Sequence, residues 1–238
     1  MRFGNDAQLL VIEPRLFADV LGCGVVRVLV EGVGEVSGSV LSATAVPTFD
    51  AARVEPGMVV VVERVACEVV SVLSGGDLEL SRPRAWPEDR AVPLSDFAGA
   101  RFAVVTAQPQ AQVVNRAILR AIGVQSEEDR DSGEDLREGW CAESALMNRR
   151  DFVRLEGLMV VRDVLRGAEG AGLGAGFGSG GSGALRERIA MYDTRVRKEW
   201  ARAVARLDTD GDGVVDCLVR LGPSAEVGGV ESVWPERV

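Results

Sequence analysis

The stretch Leu207–Leu221, LDTDGDGVVDCLVRL, places Asp208, Asp210 and Asp212 two residues apart, follows them with Gly213, and adds Asp216 three further on. Carboxylates this close repel one another unless a cation lies among them. Calcium suits the pattern, because it is a hard ion that takes about six to eight oxygens from a short, sharply turning loop. An EF-hand-type loop draws ligands from alternate positions and turns on a glycine at the sixth. Asp208, Asp210, Asp212, the backbone carbonyl of Val214, and Asp216 fill the first, third, fifth, seventh and ninth places, with Gly213 at the turn. Val219 stands at the twelfth, where a bidentate glutamate would complete the shell. The residues before the loop read as a helix and VVDCLVRL alternates as a strand. The expectation is therefore a helix-entered, strand-exited loop holding one structural calcium, with no other cofactor. The plainer reading is a solvated Asp/Gly turn closed by hydrogen bonds to its own backbone.

Other chemistry is thinly supplied. The chain has no histidine, which removes the commonest general base and the favoured zinc ligand. Lys198 is the one lysine among 27 basic residues and lies in TRVRKEWARA, a charged helix face unsuited to Schiff-base or phosphate-loop work. Gly176, Gly178 and Gly181 satisfy GxGxxG, but no strand precedes them, and a dinucleotide fingerprint needs strand, tight turn and helix in order. Glu127, Glu128, Asp131, Glu134 and Asp135 lie in a polar run, QSEEDRDSGEDLREG, with no apolar surroundings to raise a carboxyl pKa. They read as a solvated loop. Cys23, Cys67, Cys141 and Cys217 are far apart and unpatterned, the usage of free thiols in a reducing compartment. No catalytic residue is nominated, and the chain reads as non-enzymatic.

Composition bounds the class. A hydrophobic content of 47% and a mean hydropathy of +0.11 describe a folded protein, and 5% aromatics leave its core to Val, Leu and Ala. No apolar run nears the roughly twenty residues of a membrane span, and Asn5-Asp6 interrupt the place where a secretion signal needs its apolar stretch. A net charge of −9 argues against wrapping nucleic acid, which needs cationic surface.

The elements that must position these residues change character along the chain. From Gly24 to Thr106 the period is two. GVVRVLVE and GEVSGSVLSAT are followed by PGMVVVVERVACEVVSVLSGGDLELSR, which reads as three strands turning near Glu63-Arg64 and at Ser74–Asp77, and RFAVVTA closes the set. Short strands with tight turns predict a small antiparallel barrel, SH3-like or OB-like. RPRAWPEDRAVPL, rich in proline, reads as a long surface loop. After Thr106 the period becomes helical. One helix carries an apolar stripe of Val113, Val114, Ala117, Ile118, Ala121 and Ile122 and stops at Gly123. A second turns Phe152, Leu155, Leu158, Met159 and Leu165 inward, and a third carries Leu185, Ile189, Tyr192, Val196, Trp200, Ala203 and Leu207. The fold class is α+β. Residues 1–23 form an arm or helix, 24–106 the barrel, 107–221 a helical domain with a Gly-rich hairpin over 167–183, and 222–238 an extended tail in which Trp234 is an apolar anchor.

This order of parts resembles the head-to-tail connector (adaptor or neck) proteins of tailed bacteriophages. The likeness is carried by FDAARVEPGMVVVVERVACEVVSVLSGGDLELSR for the β-domain, and by LEGLMVVRDVLRGA, the Gly-rich hairpin and LRERIAMYDTRVRKEWARAVARLDTDGDGVVD for the helical part. The resemblance implies a structural virion protein, assembled in the host cytoplasm. It implies a homo-oligomeric ring, a dodecamer, seated between the portal protein and a tail or stopper protein. DNA would pass through its channel without sequence-specific binding, and no membrane is involved. The other open reading is a calcium-stabilised, non-enzymatic binding module of cellular origin.

Overall fold

A computed structural model describes residues 3–44, 48–84, 88–131, 139–172 and 181–222. The protein is α+β, with a closed barrel of six antiparallel strands and several helices. The chain divides into two compact units. One takes Asn5–Gln110 and Val160–Ile189, the other Met1–Gly4, Ala111–Met159 and Ala190–Val238.

In the first unit the barrel strands are β1 (Arg27–Ser37), β2 (Val40–Ala43), β3 (Val59–Val62), β4 (Val65–Val72), β5 (Asp77–Ser81) and β6 (Phe97–Thr106). They close in the order β1-β2-β5-β4-β3-β6, every pair antiparallel. Closure removes the exposed edges that a sheet of this apolar composition would otherwise offer. Alternation fills the interior: Val36, Leu41, Val60, Val69, Leu80 and Val104 belong to one buried cluster. The unbroken VVVV of β3 is buried at every residue, because Val60 and Val62 face the barrel interior while Val59 and Val61 are covered outside. That cover includes α2 (Leu16–Val20), which packs on β3 and β4, while α1 (Asp6–Ile12) packs on β4. Residues 1–23 are thus two short helices over their described span. Asn5 caps α1 with a reciprocal bond to Gln8, and buried Asp6 accepts from the Thr106 hydroxyl at 2.5 Å and from the Ala107 N–H at 3.2 Å.

Two local features shape the barrel. Gly34 lets β1 pass close to β2, since a Cβ there would lie 2.6 Å from the Ser42 carbonyl oxygen. The β3–β4 turn places Glu63 and Arg64 at φ 45° and 74°, the left-handed pair of a primed hairpin turn made without glycine. The proline-rich loop after β5 is tied down more firmly than a surface loop. Arg84 holds Glu68 of β4 through Nη2–Oε1 at 2.7 Å and Nε–Oε2 at 3.1 Å, both side chains being about as buried as the core, and Leu94 enters the barrel cluster. That carboxylate hydrogen bond is the main reason the Arg84 guanidinium is pushed above its ordinary value.

In the second unit, α3 begins at Gln108 and runs to Ala121 through both units, with Gly123 in the left-handed conformation beyond it. The buried face is Ala111, Val114, Asn115, Ile118, Leu119 and Ile122, so the expected stripe is rotated. Val113 is 67% exposed, and Ala117 and Ala121 are also in solvent, because the buried face is centred toward the Asn115 and Leu119 flank, on the side of the helix away from Val113. The acidic run is structured at its start: β7 (Val124–Gln125) leads into α4 (Glu127–Asp131), and Glu128 pairs with Arg116 at 2.7 Å. Glu134 and Asp135 lie outside the described residues. β8 (Cys141–Ala142) pairs in parallel with β7. Phe152 is buried in a 3₁₀ turn at Arg149–Phe152, and α5 (Val153–Gly170), whose residues from Val160 on belong to the first unit, buries Leu155, Leu158, Met159 and Leu165 as the pattern predicts. Helix α6 (Gly181–Trp200) follows, so the glycine-rich run comes after a helix and not a strand. Gly176 and Gly178 themselves lie outside the described residues. So does the tail from Pro223, including Trp234.

The third helix is shorter than its period suggests. It ends at Trp200, and Ala203 and Leu207 leave the stripe: β9 (Val204–Leu207) pairs antiparallel with β10 (Cys217–Arg220). Tertiary pairing overrides helix propensity here. Asn148 donates to the Val204 carbonyl at 2.8 Å and accepts from the Arg206 N–H at 2.8 Å, Leu146 bridges Leu207, and Ala205 and Leu207 are buried.

Candidate metal centre

The Asp-rich loop is the connection of the β9–β10 hairpin. It is entered from a strand, so the expected helix-entered geometry is corrected, and Val219 lies within β10 opposite Ala205 and not at the end of a ligand loop. The local sequence still dictates a tight turn. Gly211 and Gly213 have φ of 81° and 85°, which an L side chain adopts only at a cost. Between them the aspartates bond to backbone N–H groups, as short acidic side chains in turns do. Asp208 accepts from Gly211 through Oδ1 at 2.7 Å and from Gly213 through Oδ2 at 2.9 Å. Asp210 Oδ1 accepts from the Asp212 N–H at 3.2 Å, and Asp212 Oδ1 from the Val214 N–H at 2.7 Å.

Three of the four carboxylates come together in this turn. One oxygen each from Asp208, Asp210 and Asp216 lies within 4.8 Å of the others; Asp208 is half-buried and the other two are exposed. Asp212 is outside this group, its carboxylate turned to the Val214 N–H. Three hard anionic oxygens converging on one point are a donor set suited to calcium or magnesium rather than to a soft metal. Each carboxylate has lone pairs beyond those its N–H partners use. The Val214 carbonyl and water are the remaining oxygens within the loop's means.

Thr209 was not singled out by the sequence pattern, yet it organises the site. Its N–H and hydroxyl donate to Asp216 Oδ2 at 2.7 and 2.8 Å. Backbone donation from Thr209 is the largest cause holding the Asp216 carboxyl below its ordinary value, with the Thr209 hydroxyl next, so this group stays ionised into acid. No local pattern marks it, because its acceptor is not one of the flanking aspartates but Asp216, seven residues on across the hairpin loop.

Burial makes three of the thiols poor nucleophiles. Cys67 inside the barrel is pushed up to about 12, and Cys23 and Cys141 are also raised by burial. All four cysteines are free. Among the described residues no helix is long and apolar enough to cross a membrane. Set against known proteins, the chain matches no family model, no curated protein and no solved structure.

Proposed function

We propose that this protein is a non-enzymatic structural subunit of a tailed-bacteriophage virion, a head-to-tail connector that forms a ring between portal and tail. The observation that carries this reading is the solid barrel: its interior is packed with apolar side chains such as Leu41, Val60, Leu80 and Phe102, leaving its work to its outer surfaces. A rigid barrel of this kind, used as SH3-like and OB-like barrels are used, is a frame that displays loops to partners. The net charge of −9 suits a channel through which DNA must slide, because an acidic wall repels phosphates and gives them nothing to grip. In this reading the subunits form a dodecameric ring, contact the portal protein on one side and a tail or stopper protein on the other, and reach the virion after assembly in the host cytoplasm. The aspartate loop holds one structural calcium that fixes the β9–β10 hairpin.

The test is electron microscopy and mass measurement of the purified protein, alone and mixed with a portal ring. Rings, or rings that form only with the portal, support the connector. A persistent monomer that ignores the portal overturns it. The convergence of Asp208, Asp210 and Asp216 also supports a second reading, a calcium-stabilised binding module of cellular origin. A persistent monomer whose soluble-ligand affinity rises with calcium would decide for that alternative.

A further inference from the structure

Among the described residues the β9–β10 hairpin is covered on one side only. Outside β9 runs the segment 145–148, which supplies the Ala145 carbonyl to Asp208, the Arg206 carbonyl's donor Met147, and the Asn148 side chain. β10 has β9 as its only strand neighbour among the described residues. Leu221 N–H donates to the Ala203 carbonyl, so the alternation of an antiparallel ladder points Val219 and Cys217 toward β9. The N–H and C=O groups of Leu218 and Arg220 therefore face the open edge. Their side chains are exposed on one face, Leu218 at 60%, and Arg206 stands opposite Leu218 on the same face. Neither Arg206 nor Arg220 has an ion pair among the described residues. The result is a short, open strand edge bearing one apolar side chain between two cations.

The chain itself carries a complementary segment. Val230–Trp234, VESVW, is bounded by Gly228-Gly229 before it and Pro235 after it, the punctuation of a five-residue strand. In an extended chain Glu231 and Val233 project to one face, and they have the same two-residue spacing as Arg220 and Leu218. Laid antiparallel on β10, the segment sets Glu231 against Arg220 and Val233 against Leu218. It sets Trp234 beside Cys217 on the opposite face. A parallel alignment sets Glu231 against Leu218 and loses the match. We propose that the open edge of β10 takes the Val230–Trp234 segment of a second copy as an added antiparallel strand. Docking in trans is what the ring reading supplies; residues 221–230 also span a fold-back of the segment onto its own β10, an outcome in which the wild type stays monomeric. The inference rests on the ring reading for its partner, since head-to-tail strand addition is a heterologous contact that closes into rings.

The experiment is sedimentation of the full chain over a range of concentrations, with Arg220→Glu, Glu231→Arg and the charge-swapped pair. The expected result is self-association of the wild type, about tenfold weaker in each single variant and restored to within about threefold in the swapped pair. Leu218→Pro is the second probe: it removes an N–H that faces solvent in the monomer, so folding by circular dichroism is kept while association is lost. A wild type that stays monomeric overturns the proposal, as does association that ignores Arg220→Glu and Leu218→Pro. Portal-dependent rings in the presence of either result leave the connector reading standing and remove only this contact.

Discussion

Asp216 reaches back across the hairpin loop to Thr209, its Oδ2 accepting both the backbone N–H at 2.7 Å and the hydroxyl at 2.8 Å. This one contact closes the loop and holds the third carboxylate beside Asp208 and Asp210. The residues that converge and the one that does not give the metal reading a sharp internal contrast. With calcium added, calorimetry of the wild type should show binding toward the weak end of the range, about 10⁻⁴ M, since no bidentate glutamate is present. Asp210→Ala should abolish the heat, and Asp212→Ala should reduce affinity by a smaller factor. A wild type with no calcium-dependent heat or melting shift reduces the loop to an ordinary Asp/Gly turn.

Acid should loosen the same hairpin. The folded-state pKa of Asp216 is depressed, chiefly by the Thr209 N–H, so the bond stabilises the hairpin above the unfolded carboxyl value of about 3.9 and is lost as pH falls through the lower folded value. Carboxyl carbon resonances should show Asp216 titrating below the ordinary aspartate value of about 3.9. In Thr209→Val, which keeps the backbone donor but loses the hydroxyl, its midpoint should rise part of the way back. An unchanged midpoint would remove the hydroxyl from the account.

Much of the barrel was legible because its period is two and its turns are marked. The Val59–Val62 and Val65–Val72 strands and the turn at Glu63-Arg64 follow from the sequence pattern alone. The residues around the metal centre were legible as a set but not as a setting. Ala203 and Leu207 continue the helical spacing of Tyr192, Val196 and Trp200, and nothing nearby in sequence announces that Asn148 will satisfy the Arg206 and Val204 backbone and draw the segment into a strand. That information is tertiary. The rotated face of α3 has the same origin, since Val113 and Leu119 are equally apolar and only packing selects between them. Arg84 was hidden in a proline-rich loop whose composition is that of exposed chain, because its partner Glu68 lies 16 residues away.

The Glu68–Arg84 pair makes a stability prediction with a built-in control. Both side chains are largely removed from water, so Arg84→Ala leaves a carboxylate with no cation in a poorly hydrated place. Urea unfolding should report a loss of about 3 kcal/mol. Replacing both members by methionine should recover most of that loss, because the cost lies in the orphaned charge more than in the missing attraction. Equal losses in the single and double variants would show that Arg84 acts by anchoring the loop through the Asp89 carbonyl, which it also reaches at 2.6 Å.

The β3–β4 turn holds two non-glycine residues in the left-handed region, and they are not equivalent. Glu63 is tied in place: its N–H donates to the Arg101 carbonyl at 3.1 Å and its Oε1 accepts from the Arg101 N–H at 2.7 Å. Arg64, at φ 74°, has no such compensation among the described residues. Arg64→Gly should therefore relieve strain and stabilise the protein by about 1 kcal/mol, raising the melting temperature, while Glu63→Gly should destabilise it by breaking the tie to β6. Differential scanning calorimetry of the two variants checks the contrast. A loss of stability in Arg64→Gly would mean that the turn draws its conformation from the Arg64 side chain and not in spite of it.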